Sequence, residues 1–191
     1  MVNISLEEKT LKVNNKSFKY IEKGKGQLVL LIHGWPENCT SWYNQISFIA
    51  KLGYKVVAMN VRGYAGSYSP NSIQGYKLKF FMEDIIDIIN YFDKNNAILI
   101  GHDWGAPICW TTAAYYKKKI AAVIGLSVPF TKRGKVSSTR LWQNLYKDIF
   151  FYQNYFQYEN IPEKELEKNI SETLLKVYYW CSEEGFKDKI K

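Results

Sequence analysis

Ala97-Ile98-Leu99-Ile100-Gly101-His102-Asp103-Trp104-Gly105-Ala106-Pro107 passes from four apolar residues, through a pentad with glycine at both ends, into a stretch that can be helical. A short unbroken apolar run reads as a strand covered on both faces. Pro107 suits the first turn of a helix, because the N–H it lacks has no partner there. Strand, Gly-X-Nu-X-Gly and helix in succession form the pattern of a nucleophile elbow, whose glycines allow a sharp turn that lifts the central side chain off the sheet. The central residue is Asp103. An aspartate could also serve there as an ordinary helix N-cap, but the strand before it and the helix after it favour the elbow.

Outward from this segment, Leu28–Ile32 and Lys55–Met59 are further buried strands on the N-terminal side, and Ala121–Val128 a fourth on the C-terminal side. Between them, Ser41–Leu52 and Tyr76–Phe92 carry apolar residues at helical spacing, and a helix from Ala106 is expected to hold Lys117-Lys118-Lys119 in its last turn, where cations suit the macrodipole. Leu11, Val13, Phe18 and Tyr20 alternate around Asn14-Asn15, which predicts an antiparallel hairpin at one sheet edge. Buried strands alternating with helices mean an α/β protein with a mostly parallel, doubly wound sheet. Beyond Pro129 the pattern turns helical and aromatic: Ser138–Phe156 reads as helix, and a second helix starting at Pro162 carries Leu166, Ile170, Leu174 and Val177 on one face. The expected division is a sheet domain over 1–130 and a helical excursion over 131–191.

Composition narrows the function classes. The formal net charge is +8, yet no acid occurs from Trp104 to Lys147, a stretch with eight basic residues, so the remainder balances at 18 of each sign. Only three of the 26 basic residues are arginine, and no recognition motif accompanies them, so nucleic acid is not an expected partner. No apolar run has the length of a membrane span. Met1–Glu8 has neither a basic start nor an apolar core, so no secretory signal is expected. Three cysteines, Cys39, Cys109 and Cys181, are odd in number and far apart; a reducing, cytoplasmic setting without disulfides or a metal cluster is expected. No phosphate-binding glycine loop with its lysine is found, and no cofactor is implied.

Aspartate at the elbow selects the chemistry. A carboxylate needs no base to act as a nucleophile. Against an ester carbonyl it would give a labile anhydride; against a saturated carbon it gives an alkyl ester, which water then opens at the carbonyl. That second step needs a base for the water and donors for the oxyanion. His33-Gly34-Trp35-Pro36 follows the first buried strand, and together with the residue after the nucleophile it nominates the backbone N–H groups of Trp35 and Trp104 as those donors. A cis Trp35–Pro36 bond is expected in so tight a turn. His33 and His102 read as structural histidines.

At this point the chain resembles the epoxide hydrolase family of α/β-hydrolases. The resemblance rests on His33-Gly34-Trp35-Pro36-Glu37, Arg62-Gly63-Tyr64-Ala65-Gly66-Ser67, Gly101–Ala106, Val128-Pro129-Phe130 and Tyr152-Gln153-Asn154-Tyr155-Phe156-Gln157, in the family's order from about Thr10 to Trp180. Asn60 stands where the family usually has Asp, and Ala65 where it usually has Gly. The resemblance implies an α/β-hydrolase fold, a small apolar epoxide as substrate and a helical lid after the fourth main strand. It nominates Tyr152, four residues before the Phe156-Gln157 pair, as the proton donor to the epoxide oxygen. It also implies a histidine base and its carboxylate partner after the nucleophile, but neither histidine of this sequence follows Trp104. The last strands and the second lid tyrosine have no counterpart either, so the chain is expected to stop inside the lid, as a truncated piece. Two other readings compete. A haloalkane dehalogenase-like hydrolase shares the Asp nucleophile and the following Trp, but often has Asn where Trp35 stands. An inactive hydrolase-like remnant that binds a ligand or partner would explain the missing base.

Overall fold

The computed structural model describes residues 6–92, 94–132 and 134–190, so the leader-free reading of Met1–Glu8 falls mostly outside the described residues. Two compact units divide the chain, Met1–Thr131 and Lys132–Lys191.

The first unit is built on one six-stranded sheet. Its strands are β1 (Lys9–Val13), β2 (Lys16–Lys23), β3 (Leu28–Ile32), β4 (Lys55–Met59), β5 (Ala97–His102) and β6 (Ile120–Leu126), in the spatial order β1-β2-β4-β3-β5-β6. β1 and β2 form the expected antiparallel hairpin, with Asn14 and Asn15 both in the left-handed region that a two-residue turn requires. β2 joins β4 antiparallel; β4, β3, β5 and β6 run parallel. Every residue of β3 is buried, because helices cover both faces. On one side, Ile85, Ile88 and Ile89 of α2 (Leu78–Tyr91) and Ile108 and Cys109 of α3 (Gly105–Tyr115) pack on Leu28, Leu30, Ile32 and Val57. On the other, Trp42 and Ile46, the latter on α1 (Tyr43–Lys51), pack on Val29, Leu31 and Val56.

Several boundaries differ from the sequence reading. The segment before α1 is a 3-10 turn over Cys39–Trp42, set off by the Asn38 side chain, which accepts from the Thr40 N–H. Lys117–Lys119 lie outside α3: Tyr116 leaves helical geometry, and the Lys119 carbonyl instead accepts from the Ala97 N–H at 3.0 Å, starting the β5–β6 pairing. β6 stands at the edge of the sheet, as expected of the last strand present, and its apolar run is only partly covered, with Ile124 and Leu126 above 40% exposed.

The described residues of the second unit form helices and their connections: α4 (Ser138–Leu145), α5 (Tyr152–Tyr155), α6 (Pro162–Leu166), α7 (Ile170–Cys181) and α8 (Glu183–Ile190). The stretch read as one helix over Ser138–Phe156 is interrupted at Tyr146, and the helix starting at Pro162 is broken at Asn169. There the side chain accepts from the Glu172 N–H and caps a new helix. Among the described residues, no helix is long and apolar enough to cross a membrane. All three cysteines are free; Cys39 and Cys109 are buried in the first unit, and Cys181 is exposed in the second.

Candidate active site

β5 turns into α3 through two residues, Asp103 and Trp104. Asp103 sits at φ +50°, a left-handed backbone that costs an L-residue strain. The turn is held from both sides: the Asp103 N–H donates to the Leu126 carbonyl at 3.3 Å, and the Asp103 carbonyl accepts from the Ala106 N–H at 3.0 Å. The flanking glycines are needed for close approach. A Cβ on Gly101 would lie 2.3 Å from the Gly105 carbonyl oxygen, and one on Gly105 would lie 2.0 Å from the Ile32 carbonyl oxygen. The elbow is therefore packed directly against the C-terminal end of β3.

The chain leaving β3 forms the facing loop. The Trp35 N–H donates to Asp103 Oδ1 at 2.9 Å. The Glu37 N–H donates to the Gly34 carbonyl at 3.0 Å and closes the turn, and the Trp35–Pro36 bond is cis, as expected. Trp104 follows the nucleophile candidate as the N-cap of α3, so Asp103, Trp104 and Trp35 share one corner of the sheet. Two of these three residues are joined by a hydrogen bond between backbone donor and carboxylate.

His33 is buried, and both ring nitrogens are engaged: Nδ1–H donates to the Gly34 carbonyl at 2.9 Å, and Nε2 accepts the Val61 N–H at 3.1 Å. Burial holds its pKa below the ordinary value. It is a structural histidine. His102 Nδ1 lies 3.1 Å from Glu37 Oε2, so a second bridge joins the elbow to the Trp35 loop. Sequence reasoning missed this pairing, and it missed Tyr64. The Tyr64 ring meets His33 edge-on at 4.8 Å, and its hydroxyl is pushed up to about 12, first by burial and then by the negative charge of Asp103. The signal for Tyr64 lay in the Arg62-Gly63-Tyr64 stretch, and for Glu37 in its place three residues after Gly34.

Tyr152 opens α5 in the second unit. Within that unit its ring packs edge-on against Phe156 at 5.6 Å, and its hydroxyl accepts from Gln153 Nε2 at 2.8 Å.

Chemically, the corner offers a carboxylate in a fixed orientation, a backbone N–H already on one of its oxygens, and a water-accessible side, since Trp104 is 50% exposed. Residues 27–179 match a family described as the alpha/beta hydrolase fold. The chain is 34% identical over 168 residues to bifunctional epoxide hydrolase 2 of Sus scrofa, covering 87% of this chain and 30% of that protein. It is 33% identical over 169 residues to epoxide hydrolase A of Mycobacterium tuberculosis, covering 87% of this chain and 52% of that protein. Among solved structures, an epoxide hydrolase from Vigna radiata superimposes with a TM-score of 0.87 at 34% identity, over 93% of this chain and 56% of that one. Epoxide hydrolase A from Mycobacterium thermoresistibile gives 0.85 at 35% identity, over 88% and 54%. The chain thus spans about half the length, or less, of these relatives.

Proposed function

The chain belongs to the alpha/beta hydrolase family, and on that premise we propose that Asp103 is a nucleophile that opens a small apolar epoxide. A carboxylate oxygen attacks a ring carbon, the carbon–oxygen bond breaks, and the electron pair goes to the departing epoxide oxygen. By the resemblance to epoxide hydrolases, the proton for that oxygen comes from Tyr152. The product is an alkyl ester of Asp103. Opening that ester to a diol requires water at its carbonyl, with the resulting oxyanion received by the Trp35 and Trp104 N–H groups. The observation that carries this reading is the 2.9 Å bond from the Trp35 N–H to Asp103 Oδ1 at a strained strand-to-helix turn. It supports an oxyanion donor already beside the carboxylate oxygen that would become the ester's carbonyl oxygen, leaving the other oxygen to attack. The similarity to epoxide hydrolases supports the substrate class.

The base for the water step is not assigned to either histidine: His33 is committed at both nitrogens, and the resemblance places the base after the nucleophile in the chain, whereas His102 precedes it. The 191 residues therefore carry the alkylation half of the reaction, and the ester accumulates. Incubation with styrene oxide followed by intact mass measurement and peptide mapping tests this. One stable adduct on Asp103, absent in Asp103→Ala, is the expected result. Chloride release from a chloroalkane with no epoxide adduct would overturn the substrate class, and steady diol release with no adduct would overturn the half-reaction.

A further inference from the structure

The end of the sheet opposite the elbow forms a floor of its own. Leu28, Lys55, Ala97 and Ile120 lie side by side as the first residues of four parallel strands, so the four connections before them meet at one end of the first unit. They are mutually bonded. The Gln27 carbonyl accepts from the Lys55 N–H at 3.0 Å, and the Gln27 amide donates to the Asn96 carbonyl and side chain at 3.0 and 2.8 Å. Lys119 Nζ donates to Asn90 Oδ1 at 2.7 Å. These bonds tie the connections to one another and to the end of α2.

Its charge is one-sided. The connecting segments 24–27, 51–55, 92–96 and 116–119 hold seven lysines and one acid, Asp93. Lys55 pairs with Glu22; Lys25, Lys51, Lys117 and Lys118 are exposed. Lysines near helix C-termini commonly offset the macrodipole, and α1, α2 and α3 all end here. Three helix ends contribute about −1.5 charges together, so with Asp93 and the Glu22 partner of Lys55 also counted about half of the positive charge is left over. Interleaved with it are apolar and aromatic side chains at the last residues of the same helices: Leu52 is 60% exposed, Tyr115 69% and Tyr91 47%. A polar cavity of about 430 Å³ opens on the floor, lined by Gly26, Gln27, Lys94, Asn95 and Asn96.

We propose that this floor docks the protein on an anionic bilayer surface. The lysines meet lipid headgroups, the cavity takes a headgroup phosphate, and Leu52 and Tyr115 enter the interfacial layer. Lysine acts as a point charge toward anionic lipid, and aromatic rings favour the headgroup level. Nucleic acid fits less well: the floor has no arginine to grip phosphates bidentately, and an exposed leucine gains nothing from a duplex. The elbow lies at the other end of β5, so docking leaves it free, and the proposal does not depend on the hydrolase reading.

Sedimentation of the full chain with vesicles tests it. Binding to phosphatidylserine/phosphatidylcholine vesicles and not to pure phosphatidylcholine is expected, and it should weaken as salt rises. Since each surface lysine strengthens partitioning about fivefold, Lys25→Gln/Lys117→Gln/Lys118→Gln should lower it about 100-fold. A charge-matched control on exposed lysines elsewhere in the first unit, Lys12→Gln/Lys77→Gln/Lys79→Gln, should bind as the parent does. Circular dichroism spectra of both variants should match that of the parent. Equal binding to neutral vesicles, equal loss in both triple variants, absence of binding, or displacement from vesicles by a short oligonucleotide would each overturn the proposal.

Discussion

Gly34 carries a hydrogen where Asp103 needs room. A Cβ there would lie 2.4 Å from both Asp103 Cβ and Oδ1, so Gly34→Ala must push the carboxylate or the loop aside. Displacements of this size cost on the order of 100-fold in rate when reacting groups are prealigned. Epoxide adduct formation should fall by about that much in Gly34→Ala, measured as the rate of mass increase under excess epoxide, while the far-ultraviolet spectrum is retained. His33 offers a pH test. Its folded pKa lies below the ordinary 6.5, so the unfolded chain takes up the proton first as pH falls. The stabilisation from the neutral ring is full above about pH 6.5 and is lost progressively below it. The melting temperature should drop on going from pH 7 to 5, and His33→Gln should start lower at pH 7 but show a smaller drop. Two departures from the family pattern meet here as well: Asn60 is buried, its Oδ1 accepts the Cys39 N–H at 2.6 Å, and its Nδ2 donates to the Ala65 carbonyl at 3.2 Å. A carboxylate could make the first bond but would have no proton for the second.

At the scale of elements, a buried ion pair fixes α2 to the loop after β4. Arg62 and Asp84 are 3% and 1% exposed, and the guanidinium grips the carboxylate through Nε and Nη2, both at 2.7 Å. Lys16 Nζ adds a third contact to Asp84 at 2.6 Å from the start of β2, and Arg62 also donates to the carbonyls of Gly75 and Phe80. Removing one partner strands a buried charge. Asp84→Ala should lower stability by about 3–5 kcal/mol, read as the shift of the urea unfolding midpoint at unchanged slope. This network was invisible in the sequence, because it joins residues up to 68 positions apart with no local pattern. The strands β3, β4 and β5 were legible for the opposite reason: burial on both faces writes itself as an unbroken apolar run. Asp103 and the Trp35 loop were legible because turn glycines and the residue between them sit within a few positions. Tyr64 and Glu37 stood in legible motifs, but the nearness of Tyr64 to Asp103 and the Glu37–His102 bridge were not legible, since they come only from the fold. Helix ends set by one side chain, such as the Asn169 cap, were missed because apolar spacing runs straight through them.

Over the whole molecule, the sheet is protected unequally. β1 at one edge is short and carries Lys9 and Lys12, which discourage edge pairing, whereas β6 at the other presents Ile124 and Leu126 at 48% and 41% exposure. Self-association through β6 is the expected weakness. Ile124→Lys should reduce light scattering of concentrated solutions and leave the spectrum of the monomer unchanged; unaltered scattering would place the weakness elsewhere. The three free thiols give the two units different chemical characters. In the first unit, burial pushes the Cys39 thiol up to about 12 and raises that of Cys109 further, which leaves both in the unreactive thiol form. Cys181 is exposed at the end of α7. Among these 191 residues Cys181 is thus the one exposed thiol. A maleimide fluorophore or spin label added to the unaltered sequence would reside on the helical unit and report its motion, with no engineered cysteine required.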